Sequence, residues 1–289
     1  AIFAVQAPMC FVGFVVALWL LPGTDRLRGV RFDVAGSITL GVGAASLLAG
    51  ISQGRAWGWS SLPTLACFVI AVAALRLFVT IERRTAAPLV MLHWFRTRNF
   101  AFPMLSQMLT NFAYMGGFIL IPQVLGQRGL GLSDATKGYL VISRPLAFSL
   151  IAPLAALATM RVGERVAGVV GALGVVLSMV LWATVGLDSS YAFIVLATAC
   201  SGIGLGIASP ALTSLMANSV DEADLGVAGA MQQLMTQLGA VMGSAVLATV
   251  SVTATPTNLA PFHLAFVVGA VVATGGCVAA TFVRSTPRT

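Results

Sequence analysis

Arg144 is the residue whose position asks most for a chemical explanation. It precedes Pro145 within residues 138–160, a stretch that carries no other charge. A cation in so apolar a run must be paired, hydrated or brought to a polar boundary. Lining a polar cavity, it would meet an anionic group or a partner carboxylate. Read as a long amphipathic side chain, it would instead snorkel to the outer end of its helix, about 9 Å away at 1.5 Å per residue. Arg76 lies near the end of its own apolar run and fits snorkelling.

Two further sets carry polarity into apolar runs. Gln107, Asn111, Tyr114 and Phe118 are spaced so that, at 100° per residue, they fall within about 60° of one another on one helical face. Two amides, a phenol and a phenyl ring suit a wet cavity that recognises amphipathic organic molecules. The same groups also serve helix–helix hydrogen bonding. Gln232, Gln233, Thr236 and Gln237 form the second set, with Gln233 above Gln237 and Gln232 above Thr236. Amides in an apolar helix need water or partners, so a cavity-facing or interdomain role is expected.

Other signals point away from catalysis. His93 and His263 are isolated, and the acidic residues fall in loops or at the edges of apolar runs. Cys10, Cys67, Cys200 and Cys277 sit in apolar runs without paired spacing and read as buried free thiols. No catalytic residue, cofactor or metal is expected, and an enzyme is not. Gly202, Gly204, Gly206 and Pro210 form a glycine-rich run, but no strand precedes it as a phosphate loop requires. Together with Gly239 and Gly243 it reads as small-residue helix packing, with a proline kink.

The elements that must position these residues follow from polarity. Of the 289 residues, 58% are hydrophobic and 9% are charged, against about 25% charged in soluble domains. A helix needs about 20 apolar residues to cross a bilayer. Runs of that length occupy residues 1–22, 34–53, 61–81, 100–122, 138–160, 166–187 and 189–220. The stretch 225–283 is too long for one crossing, and the turn-forming residues 253–261 divide it. The expected fold class is therefore an all-α integral membrane protein with nine transmembrane helices. The net charge of +7 does not form a nucleic-acid stripe; it lies in the gaps between runs. With the N-terminus outside, Arg26, Arg28, Arg31, Arg83, Arg84, Arg96, Arg98, Arg161, Arg165, Arg284 and Arg288 fall inside, and Arg55, Arg128 and Lys137 outside. That excess obeys the positive-inside rule and puts the C-terminus in the cytoplasm, although Asp221, Glu222 and Asp224 make one inside loop acidic. Trp57 and Trp59 would anchor the outer interface and Trp94 the inner one. A chain that opens at Ala1 in an apolar run, with no basic signal region, is expected to lack an N-terminal part.

Several segments carry a family resemblance. Phe32-Asp33-Val34-Ala35-Gly36, then Gly50 to Gly54 and Trp57-Gly58-Trp59, resemble the first linker span of the fourteen-span drug:proton antiporter branch of the major facilitator superfamily. Pro153 to Arg165 is similar to the cytoplasmic loop motif of that superfamily's second half, carried here by Arg161, Gly163 and Arg165. Gly202 to Pro210, Gly226 to Gly229, and Gln237-Leu238-Gly239 through Gly243 resemble its last three spans. The sequence departs from the pattern at Ala156, Met160 and Thr236, where the family usually has Gly, Asp and Arg.

The resemblance implies an order of parts. Residues 1–22 would be the last span of an N-terminal half, 34–81 two linker spans, and 100–283 the C-terminal six-helix bundle. It also implies a multi-pass plasma-membrane exporter of small amphipathic organic substrates, often cationic, exchanged for protons by alternating access. An N-terminal six-helix half would be the partner, on the same or another chain, and would hold the proton-linked acidic residue. The alternative is a truncated or accessory membrane subunit without transport of its own.

Overall fold

The computed structural model describes residues 2–20, 33–85, 92–126, 132–252 and 258–284. Among the described residues there are nine α-helices and no strand: α1 (Ile2–Leu20), α2 (Val34–Trp57), α3 (Leu62–Glu82), α4 (Arg98–Leu125), α5 (Asp134–Val162), α6 (Glu164–Ala183), α7 (Tyr191–Ala217), α8 (Leu225–Val250) and α9 (Ala260–Thr281). Eight of them, α2 to α9, are long and apolar enough to cross a membrane. In α1 the apolar stretch Gln6–Leu20 is shorter than that. Arg26, Arg28, Arg31, Phe32, Arg128, Arg288 and residues 253–257 of the turn lie outside the described residues, as do the side chains of Arg55 and His93.

Local chemistry sets the helix ends. Asp33 accepts the Gly36 N–H at 2.8 Å and caps α2; Ser133 caps α5 and Ser190 caps α7 in the same way. Gly163 takes φ 94°, a value that favours glycine, and this lets α5 stop and α6 start within one residue. Asn258 accepts the Ala260 N–H at 3.0 Å, and Pro261 stands in the first turn of α9. Inside the helices, hydroxyls such as Thr110, Thr159 and Thr198 donate to the carbonyl four residues back, so their protons need no outside acceptor.

The chain forms two compact units, residues 1–32 and 33–289. The first holds α1, whose described side chains are nearly all exposed. In the second, α2 pairs with α3 and also lies on α8, while α4 to α9 form a bundle. There α4 packs on α8 and α9, α7 packs on α5 and α6, α4 meets α7, and α6 meets α9. Exchanging α4–α6 with α7–α9 maps this set of packings onto itself, the signature of a three-helix unit used twice. Trp182 and Phe266 stack at 5.5 Å in the core, beside Met179, Ile194 and Leu120. A second cluster of Phe78, Trp94, Phe100, Met104, Met216 and Met231 ties the C-terminal end of α3 to the bundle.

Glycine sets how close the helices come. A Cβ on Gly202 would fall on the carbonyl oxygen of Arg144, and one on Gly206 would lie 3.2 Å from that of Phe148, so α7 rests on the backbone of α5. Gly239 and Gly243 of α8 stand against the carbonyls of Met108 and Phe112 on α4 in the same way. Gly204 meets Gly171 and Gly174, which brings α6 to α7. Pro210 lies inside α7, where its missing N–H interrupts the ladder.

Two sequence expectations are corrected. Of the four free cysteines only Cys277 is buried; Cys67 and Cys200 are partly so and Cys10 is exposed. In an apolar helix the outer surface is as hydrophobic as the core, so residence in an apolar run does not imply burial. Trp94 is 5% exposed and packs on Phe100 at 5.2 Å, so it is a core residue rather than an interfacial anchor. Trp57 and Trp59 are exposed, as anchors would be.

The seams make a prediction. Gly243→Ala should destabilise the bundle by about 1–3 kcal/mol, because the clash is with backbone that cannot repack. Gly229 has open space around it, so Gly229→Ala should be neutral or slightly stabilising. Thermal unfolding of both variants in detergent checks this; equal midpoints would rule out the close approach.

Candidate functional site

Arg144 turns inward from α5 and is fully buried. Its Nη2 donates to the carbonyl oxygen of Tyr114 on α4. Its Cζ stands 3.6 Å from the centroid of the Tyr114 ring and 5.6 Å from that of Phe118. A desolvated cation over an aromatic face gains about 2 kcal/mol, which offsets part of the cost of burial. Nε and Nη1 remain buried without a hydrogen-bond partner among the described residues. The backbone fixes the position: Gly202 seats α7 against the carbonyl of this same residue, and Pro145 offers no N–H to the helix behind it. The side chain does not extend along α5 toward a helix end.

The other α4 residues divide by burial. Gln107 and Asn111 are 5% and 3% exposed, Tyr114 is buried, and Phe118 is 43% exposed. Asn111 donates to the carbonyl of Gln107 at 2.9 Å, and Gln107 donates to Ser209 Oγ on α7 at 3.3 Å. The Gln107 Oε1 atom is buried without a partner among the described residues. From Gln107 to Phe118 the column rises about 16 Å along α4, with an amide pair at one end and the arginine-covered rings at the other.

α8 sorts its glutamines by face. Gln232 donates to Thr213 Oγ1 on α7 at 2.5 Å, and Thr236 donates to the Gln232 carbonyl at 2.9 Å. Both are partly buried, whereas Gln233 and Gln237 are exposed. The structure thus brings Gln107 and Gln232 to one helix, α7, through Ser209 and Thr213. Sequence reading missed both hydroxyls; their i, i+4 spacing beside Pro210 was the available signal.

The loop residues lie apart from this group. Arg161 is in the last turn of α5, Gly163 at the turn and Arg165 in the first turn of α6, with both arginines exposed. An apolar cleft of about 290 Å³ lies nearby, lined by residues of α5, α6 and α7 such as Ile151, Ala155, Thr159, Val166 and Ile207. It contains none of the polar candidates on α4 and α8.

The family model described as Major Facilitator Superfamily matches residues 103–289. The chain is 24% identical over 250 residues to the multidrug transporter protein MdtP of Bacillus subtilis, a match covering 86% of this chain and 46% of that protein. It is 29% identical over 250 residues to a tetracenomycin C resistance and export protein of Streptomyces glaucescens, with the same coverage of each. It is 30% identical over 227 residues to a tetracycline resistance determinant of Streptomyces rimosus, covering 75% of this chain and 63% of that protein. The chain spans about half the length of the first two.

The contact between Gln232 and Thr213 can be measured directly. A double-mutant cycle of Gln232→Ala and Thr213→Ala, read by unfolding in detergent, should give a coupling of roughly 0.6–1.7 kcal/mol. Additive effects would remove the α7–α8 hydrogen bond.

Proposed function

The chain belongs to the Major Facilitator Superfamily and is a multi-pass membrane protein, and from that premise we propose that it forms the C-terminal half, with two linker helices, of an exporter of amphipathic organic molecules. In this reading the substrate path runs along α4, α5 and α8. The observation that carries it is the set of exposed amides Gln233 and Gln237 on a helix apolar enough to span a membrane. Lipid cannot satisfy an amide, so that face meets water or a partner. Asn111, Gln107 and Thr236 add hydrogen-bonding groups, and Tyr114 and Phe118 add ring faces, which together suit molecules with one polar and one apolar side. The drug-export names of the relatives point the same way.

The rest of the mechanism follows from two bundles rocking about a midplane site. α4 to α9 would be one bundle and an N-terminal six-helix half the other. Proton entry would drive export, with the titrating acid outside this chain, because its acidic residues lie only in loops and at helix ends. Arg161, Gly163 and Arg165 would form a tight cytoplasmic turn that keeps α5 and α6 in register as the bundle moves. The cell membrane would be the location, with the C-terminus in the cytoplasm.

The test is export from cells that lack their own drug pumps. The complete protein carrying this sequence should lower retention of ethidium and of a bisbenzimide dye. A protonophore should abolish that export, and Asn111→Ala or Gln237→Ala should change the ratio of the two dyes severalfold at equal protein level. Export that survives the protonophore would end the proton-antiport reading, and no export at all would end the exporter reading.

A further inference from the structure

We propose that Arg144 receives the carboxylate of an aromatic organic acid or zwitterion, so that anion-bearing amphipathic molecules belong to the substrate class. The proposal rests on the exporter reading above and deepens it.

The guanidinium is built for an oxyanion and lacks one among the described residues. Nε and Nη1 carry most of its five N–H donors, and both are buried without a partner among the described residues. The third nitrogen is fixed by the Tyr114 carbonyl, so the plane of the group is held rather than free to rotate. A carboxylate meeting a planar guanidinium gains two parallel charge-assisted hydrogen bonds, here from the second N–H of Nη2 and from whichever of Nη1 and Nε shares its open edge, and the low local dielectric strengthens them. Arginine, unlike lysine, offers this fork together with a flat face for stacking. The acidic residues of the described α-helices, Glu82, Asp134 and Glu164, stand at helix ends; Asp134 is about 15 Å along α5 from Arg144 and pairs with Lys137.

The surroundings specify the rest of the ligand. The rings of Tyr114 and Phe118 lie over the guanidinium, and Phe118 is the outer of the two, 43% exposed. Rotation of Phe118 uncovers the charge and leaves its own ring beside the entering group. A carboxylate attached to an aromatic body would then meet the fork with its acid and the two rings with its face. A cationic drug meets the wrong sign at this position. The same carboxylate chemistry could come from a side chain elsewhere in the complete protein, and the experiment separates the two sources.

The probes are anthracene-9-carboxylate and its uncharged primary amide, which differ little in shape. Binding to the purified complete protein in detergent is measured by fluorescence, and uptake is measured in inside-out vesicles under a proton gradient. The acid should bind at least about tenfold more tightly than the amide, as expected for a hydrogen-bonded charged group. Arg144→Gln should erase that preference by weakening the acid alone, and Arg144→Lys should keep part of it. Equal binding of acid and amide by the unsubstituted protein overturns the proposal and needs no variant to fold. Equal weakening of both probes by Arg144→Gln also overturns it and assigns the carboxylate to the protein. Acid-selective, Arg144-dependent binding without vesicle uptake supports the proposal while ending the exporter reading. Uptake of both probes without preference does the reverse.

Discussion

Backbone touching backbone is the constraint on which the bundle depends. In hydrocarbon there is little hydrophobic gain from bringing two helices together, so association comes from close packing and polar contact. Gly202 and Gly206 let α7 settle onto the carbonyls of α5, and Gly239 and Gly243 let α8 settle onto those of α4. The two seams use the same spacing of four residues on different helix pairs, and each joins one three-helix unit to the other. The spacing of these two helix pairs is therefore set by four positions without side chains. The larger residues, Trp182, Phe266 and Met179, fill what remains.

The seams also explain why the polar groups are where they are. Gly202 fixes the height of Arg144 by resting on its carbonyl, and this height brings the guanidinium onto the Tyr114 ring. Close approach of α7 puts Ser209 within reach of Gln107 and Thr213 within reach of Gln232. Helices α2 and α3 sit outside this arrangement: α2 lies on α8 and the end of α3 enters a separate cluster around Trp94 and Phe100.

Much of the architecture was legible in the sequence, because the bilayer sets a length that any spanning helix must reach. The eight long helices fall within a few residues of the apolar runs, and the turn-forming residues that precede α9 were visible as its boundary. Direction was harder. Helical periodicity grouped Gln107, Asn111, Tyr114 and Phe118 on one face, yet three are buried and Phe118 is half open, since a neighbouring helix covers only part of that face. Nothing in the sequence separated Gln232, which bonds α7, from Gln233, which does not pack inward. The orientation of Arg144 and the burial of the cysteines and Trp94 depend on which neighbour lies opposite. In a membrane protein that information is weak, because lipid-facing and core-facing residues share one composition.

A seam of this kind has a consequence for heredity. Every base change in a glycine codon that alters the residue adds at least a methyl group, so variation at Gly202, Gly239 and Gly243 can proceed only toward larger side chains. In an ordinary core a neighbour can shrink in compensation. Here the opposing atom is a carbonyl oxygen, which every residue carries, and no second mutation can remove it. These few codons are thus a fixed mutational target within a sequence whose outward-facing positions can exchange one apolar residue for another almost freely.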